Sequence, residues 1–191
     1  MFREAEHTNE DFYDGPFSRQ DFSYSEFVNC DFHGCDFTKA DFLGSQFVNC
    51  DFHRCTLEGS YITGAIFKNC DFHHTSFNGA YIFCSQFDNC DLHHCSIVDT
   101  LLSTVDFKNT DFGKVTYREG HTINSPPIRI EGMDYPITVY DDGYVQFGCA
   151  FNTKEWFLSA EGRDMTLLEG LKARRFWGKN RHWLVPFLES L

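Results

Sequence analysis

Four histidines recur at intervals of 20 residues, His33, His53, His73 and His93, and the last two are each followed by another, His74 and His94. Imidazoles stacked in one column offer transition-metal ligation or a charge that appears near neutral pH. A flat row lacks the convergence a tetrahedral site needs, so no metal site is expected and the ladder reads as a solvated or pH-sensitive face. Cys30, Cys50, Cys70 and Cys90 share the same spacing. Stacked thiols are close enough for disulfides to be conceivable. Met1–Glu10 lacks the layout of a secretory signal, so the expectation is a reducing, cytoplasmic compartment and buried free thiols, with Cys84 the outward exception. Asp11, Asp31, Asp51, Asp71, Asp91 and Asp111 form a third set, a line of negative charge like a nucleic-acid backbone. The plainer role for a short acid at a chain corner is to accept backbone N–H groups. Asn29, Asn49, Asn69, Asn89 and Asn109 form a fourth set, in which stacked amides bond along the column.

Catalytic patterns do not emerge. The sequence has no Gly-rich phosphate loop, no GxSxG elbow and no HExxH. Outside the repeating part, Cys149 and His182 are the one pair that suggests a thiol nucleophile, and nothing in the sequence orients them. A non-enzymatic protein without cofactor is expected.

The spacing shared by these sets must come from the elements that carry them. Every fifth residue from Phe12 to Tyr117 is large and apolar: Phe12, Phe17, Phe22, Phe27 and so on, with Leu57, Ile62, Ile82, Leu92, Ile97 and Leu102 as the aliphatic members. The residue two before each centre is mostly Cys, Ala, Ser or Thr, and the one just before it is Asp at ten positions. Neither the strand period of 2 nor the helix period of 3.6 gives this pattern, which leaves a repeat solenoid. The string NCDFH at 29–33, 49–53 and 69–73 adds a superperiod of 20, so four fives make one coil.

With CDFHG at 30–34 and ADFLG at 40–44, the sequence resembles the pentapeptide-repeat family. That resemblance implies a β-solenoid: a right-handed quadrilateral β-helix, four repeats per coil and about 5.5 coils, with the small and central residues pointing inward. The expected organisation is an N-terminal cap at 1–11, the β-helix at 12–119 and a small α+β C-terminal module at 120–191. In that module Ile128–Ile130 and Ile137–Tyr140 read as strands, Asp142-Gly143 as a hairpin turn leading into Tyr144–Cys149, and Asn152 or Thr153 as a helix cap. Further helices are expected over Arg163–Arg175 and Arg181–Ser190, with a basic cluster of Lys172, Arg174, Arg175, Lys179 and Arg181.

Sixteen Lys and Arg against 28 Asp and Glu give a net charge of −12 over 191 residues, which excludes a strongly basic nucleic-acid binder. No apolar run approaches the ~20 residues of a membrane-spanning helix. The resemblance implies a binding protein: some family members are acidic rods that mimic DNA and engage gyrase or similar topoisomerases, and a tail like those of phage-encoded relatives would make a host defence nuclease an equal target. The expected partner is therefore a DNA-binding enzyme, with Asp88, Asp99 and Glu58 as outward acids free of corner duties. The alternative is a protein-interaction scaffold. Tyr61, Tyr81 and Leu101 in one column, with Leu43 and Phe83 in another, form an apolar face suited to the C-terminal segment, a partner or a homodimer.

Overall fold

The computed structural model describes residues 2–118, 120–130, 137–147, 150–159, 179, 182 and 184–190. The chain divides into two compact units, Met1–Ser125 and Pro126–Leu191.

The first unit is a parallel β-solenoid whose corners come from one repeated backbone conformation. Every fifth residue from Glu4 to Lys114 has a positive φ, between 51° and 73°. Each such left-handed residue turns the chain, and the two flanking peptides then run along the next side. Glycine occupies only Gly34, Gly44, Gly59, Gly64 and Gly79 of these corners. Asparagine, the side chain most tolerant of this region after glycine, takes Asn9, Asn29, Asn49, Asn69, Asn89 and Asn109.

Short strands form where the flanking peptides are straight enough. They are β1 (Glu6–Thr8), β2 (Glu26–Val28), β3 (Gln46–Val48), β4 (Tyr61–Thr63), β5 (Ile66–Lys68), β6 (Tyr81–Phe83), β7 (Gln86–Asp88), β8 (Leu101–Ser103) and β9 (Asp106–Lys108). One side of the coil is the six-stranded parallel sheet β1-β2-β3-β5-β7-β9, here face four, and another is β4-β6-β8, face three. Faces one and two are joined by single parallel bridges, from Asp11↔Asp31 to Asp91↔Asp111 and from Pro16↔Asp36 to Ser96↔Thr116. Every parallel pairing joins residues 20 apart, so four repeats make one coil, as the superperiod requires.

The core is a set of ring stacks. Phe32, Phe52 and Phe72 lie 4.9–5.0 Å apart at 13–17°, and Phe27, Phe47, Phe67 and Phe87 repeat this on face four. The spacing is that of neighbouring strands, so backbone pairing dictates it. Rings of adjacent faces meet edge to face instead, as Phe47 and Phe52 do at 5.2 Å and 74°. Small residues fill the inner corners because nothing larger fits beside the rings. Ser45 and Ser60 donate their hydroxyls to the carbonyls of Phe42 and Leu57, each at 2.8 Å, and Cys55 and Cys95 turn Sγ to the carbonyls of Phe32 and Phe72.

The two ends of the solenoid differ. Within the stretch expected as a cap, residues 2–11 already follow the coil: Phe2 stacks on Phe22 at 4.7 Å, His7 on Phe27 at 4.9 Å, and β1 pairs with β2. A histidine in the central position hides this register in the sequence, yet its flat ring stacks like phenylalanine. At the other end β10 (Val115–Arg118) pairs antiparallel with β11 (His121–Ile123), which halts the parallel stacking.

In the second unit β12 (Ile128–Ile130), β13 (Ile137–Val139), β14 (Tyr144–Phe147) and β15 (Ala150–Thr153) form an antiparallel sheet in that order. The turn before β14 contains Gly143 at φ 88°, where the Asp-Gly signal placed it. Thr153, not Asn152, caps α1 (Lys154–Leu158), its Oγ1 accepting the N–H of Trp156 at 3.1 Å. Residues 184–190 are helical with Leu184 and Leu188 buried. The helix expected over Arg163–Arg175, the residues Cys149 and Trp183, and all of the basic cluster except Lys179 lie outside the described residues. No helix among the described residues is long and apolar enough to cross a membrane.

Candidate interaction surface

The aspartate column is built by the corner before face one. Each acid accepts the backbone N–H two residues on: His33, His53, His73 and His93 donate to Oδ1 of Asp31, Asp51, Asp71 and Asp91 at 2.7–2.8 Å. Tyr13 and Gly113 do the same at the ends of the column. Asp21, Asp36 and Asp41 repeat the bond on other faces. The structural duty expected of these acids is therefore real, and it engages one carboxylate oxygen. Beside them the asparagine ladder runs from Asn9 to Asn89: Nδ2 of Asn29, Asn49, Asn69 and Asn89 donates to Oδ1 of the asparagine one coil earlier at 2.9–3.1 Å. A shallow groove separates the two columns, lined by Asn69, Asn89 and Asn109 on one wall and Asp71, Asp91 and Asp111 on the other.

The histidine ladder flanks the acids on the opposite side. His33 stacks on His53 at 5.1 Å and 9°, and His53 on His73 at 5.3 Å and 11°. His74 and His94, at left-handed corners, stack on each other at 5.0 Å. Their pKa values are lowered, first by lost hydration and then by the neighbouring imidazoles. Viewed as imidazoles alone, His33, His53 and His73 form the flat row expected. What the sequence reading missed is that the acids of adjoining coils reach it: ligand atoms of Asp71, His73 and Asp91, and of Asp91, His93 and Asp111, lie within 4.8 Å of one another.

Among the described residues the thiols are free, and Cys84 is exposed while Cys30, Cys35, Cys50, Cys55, Cys70, Cys90 and Cys95 are buried. Burial pushes Cys35 up to about 11 and Cys55 and Cys95 higher still, the opposite of an activated nucleophile.

Glu58, Asp99 and Asp88 do not form one patch. Glu58 stands on face two and accepts Ser76 Oγ at 3.0 Å, Asp99 occupies the next corner at φ 56°, and Asp88 lies on face four, 3.8 Å from Lys108 Nζ. The continuous acidic feature is the column from Asp11 to Asp111. The apolar residues, in contrast, share face three: Tyr61 stacks on Tyr81 at 5.1 Å and 8°, Leu101 pairs next in register, and Tyr61 is 50% exposed. Leu43 is exposed as well, whereas Phe83 is only half-buried and tilts against Tyr81. Tyr24 is a further exposed ring there, lying over Gly44; an aromatic one coil before a glycine was the signal.

The pentapeptide-repeat family profile matches residues 17–54 and 50–82, with eight copies of the repeat. The chain carries a pentapeptide-repeat solenoid. A solved pentapeptide-repeat structure shares this fold. A pentapeptide-repeat protein from the Arabidopsis thaliana thylakoid lumen superposes with a TM-score of 0.51 at 20% identity, covering 53% of this chain and 70% of its own. Full-length QnrB1, a plasmid-mediated fluoroquinolone resistance protein, aligns at 20% identity and TM-score 0.41 over 61% of this chain and 74% of its own. Rfr23 from the cyanobacterium Cyanothece 51142 aligns at 14% identity and TM-score 0.33 over 61% and 87%. No curated protein matches the sequence significantly.

Proposed function

We propose that the pentapeptide-repeat solenoid is a non-enzymatic binding protein whose acidic edge occupies the DNA-binding channel of a DNA-processing enzyme, a topoisomerase such as gyrase or a nuclease. The supporting observation is the unbroken aspartate column, in which a backbone N–H fixes one oxygen of each carboxylate. Its charges repeat at about the 4.8 Å strand spacing, against about 3.4 Å of helix axis per phosphate on one DNA strand, and they are held by a rigid scaffold. An enzyme surface arranged to neutralise phosphates is complementary to such an edge.

The test is affinity capture from bacterial lysate at low and high salt, with bound proteins identified by mass spectrometry and then challenged with duplex DNA. The control is Asp31→Asn with Asp51→Asn, which removes charge and keeps the Oδ1 acceptor that holds the corner. Mimicry predicts a DNA-binding enzyme that salt and duplex DNA displace and that the control retains poorly. The stacked, exposed Tyr61 and Tyr81 favour one other reading, a scaffold that uses face three. A partner indifferent to salt and to the control, but lost on Tyr81→Ser, would replace mimicry with that scaffold.

A further inference from the structure

The edge that carries the acids departs from its own repeat near the C-terminal end of the solenoid. His33, His53 and His73 lie parallel within 9–11°, but His93 is turned by 59° relative to His73. Its Nδ1 comes within 3.9 Å of Asp111 Oδ2 on the next coil. The next residue in the column after His93 is Gly113, where the four preceding coils have histidine. That glycine has no positive φ to require it, and a Cβ at 113 would overlap His93 Nδ1. The missing side chain is thus what lets the imidazole leave the stack and face the acids.

Two carboxylates then converge on this ring. Asp91 and Asp111 each have Oδ1 held by the N–H of His93 and of Gly113, at 2.8 Å, so both acids are oriented before any ligand arrives. Ligand atoms of Asp91, His93 and Asp111 all lie within 4.8 Å of one another, and a small rotation of these part-exposed side chains brings them within the ~4.2 Å that two ligands of one ion can span. We propose that Asp91, His93 and Asp111 form a binding site for a borderline divalent transition ion such as zinc, completed by water on the exposed side. One imidazole nitrogen with two carboxylate oxygens suits zinc and its first-row neighbours better than magnesium or calcium, which favour all-oxygen shells. Asp71 and His73 form an adjoining triad through the shared Asp91. Binding there would place positive charge within the acidic column and tie consecutive coils together.

The proposal concerns the C-terminal end of the column and is independent of the partner reading, whose control variants lie at Asp31 and Asp51. Titration of the untagged full-length protein with zinc chloride, followed by calorimetry, tests it, with magnesium chloride as the comparison ion and ¹⁵N chemical shifts of the histidine rings as a site-specific readout. Micromolar or tighter zinc binding is expected, with the His93 ring shifting most. His93→Gln and Asp111→Asn should weaken binding by about tenfold or more, and His33→Gln should leave it unchanged. Gly113→Ala keeps a permitted backbone and drives His93 back toward the stack, so it should weaken zinc binding while circular dichroism and the melting temperature stay as in the parent. Equal zinc affinity in the parent, His93→Gln and Gly113→Ala, or no zinc binding by the parent in the micromolar range, overturns the proposal.

Discussion

His74 and His94 show how one side chain registers its place in the solenoid. Each sits at a left-handed corner and presents its ring beside the ladder, where lost hydration and then the nearby imidazoles disfavour the charged form. The folded pKa lies below the ordinary 6.5, so as pH falls through that value the unfolded chain takes up protons first. Above it neither state is charged at these rings and they contribute nothing. Below it they destabilise the fold increasingly until the folded rings are protonated too. Melting curves between about pH 7 and pH 5 should therefore fall less steeply for His74→Gln with His94→Gln than for the parent. Equal slopes would mean that the rings titrate alike in both states. The neighbouring column from His33 to His93 was visible in the sequence as a 20-residue recurrence. Its partnership with the aspartates was not, because that contact joins residues a full coil apart whose side chains tilt toward each other only once the stacking direction is known.

A corner is the smallest element that the fold repeats, and it succeeds or fails on a single backbone angle. Asparagine at 29, 49, 69 and 89 serves it twice, by tolerating positive φ and by passing an amide hydrogen bond to the coil before. Thr104 meets the same angle, φ 53°, with a branched Cβ. Such a residue carries strain of about 1–2 kcal/mol in this region. Thr104→Asn should therefore stabilise the protein by about 1 kcal/mol in urea unfolding, an unusual direction for a substitution in a regular repeat. A loss of stability would show that the Thr104 hydroxyl, 3.8 Å from Cys84 Sγ, contributes more than the strain costs. The corner rule explains which elements were legible. The apolar centres and the small inner residues follow from packing and could be counted directly, whereas the left-handed position tolerates Arg19, Lys39, Tyr24 and Arg54 and so leaves no uniform residue type to recognise. For the same reason Tyr24, at such a corner, does not read in the sequence as a companion of Tyr61 and Tyr81.

At the scale of the whole solenoid, stability is a sum over neighbouring coils. Each ring touches the ring above, the ring below and the rings of adjacent faces, so a central phenylalanine has partners on every side and a terminal one does not. Phe52 is fully buried and stacks on both Phe32 and Phe72, while Phe12 is only half-buried near the opening coil. Phe52→Ala leaves a cavity that the coils on either side cannot close without breaking their strand pairing, which places its cost at about 3–5 kcal/mol. Phe12→Ala removes a ring that already faces solvent in part, and the opening coil can fray without disturbing the rest. Its cost should be clearly smaller, with the midpoint of urea unfolding lowered less than for Phe52→Ala. Hydrogen exchange should sharpen the contrast, with lost protection spreading to coils on both sides of Phe52 but confined to the N-terminal coil for Phe12. If both substitutions cost the same and open the same amides, the solenoid unfolds as one cooperative block and the nearest-neighbour account fails. The acidic edge depends on that account, since a carboxylate column keeps its spacing only while the stacked rings beneath it hold each coil in register with the next.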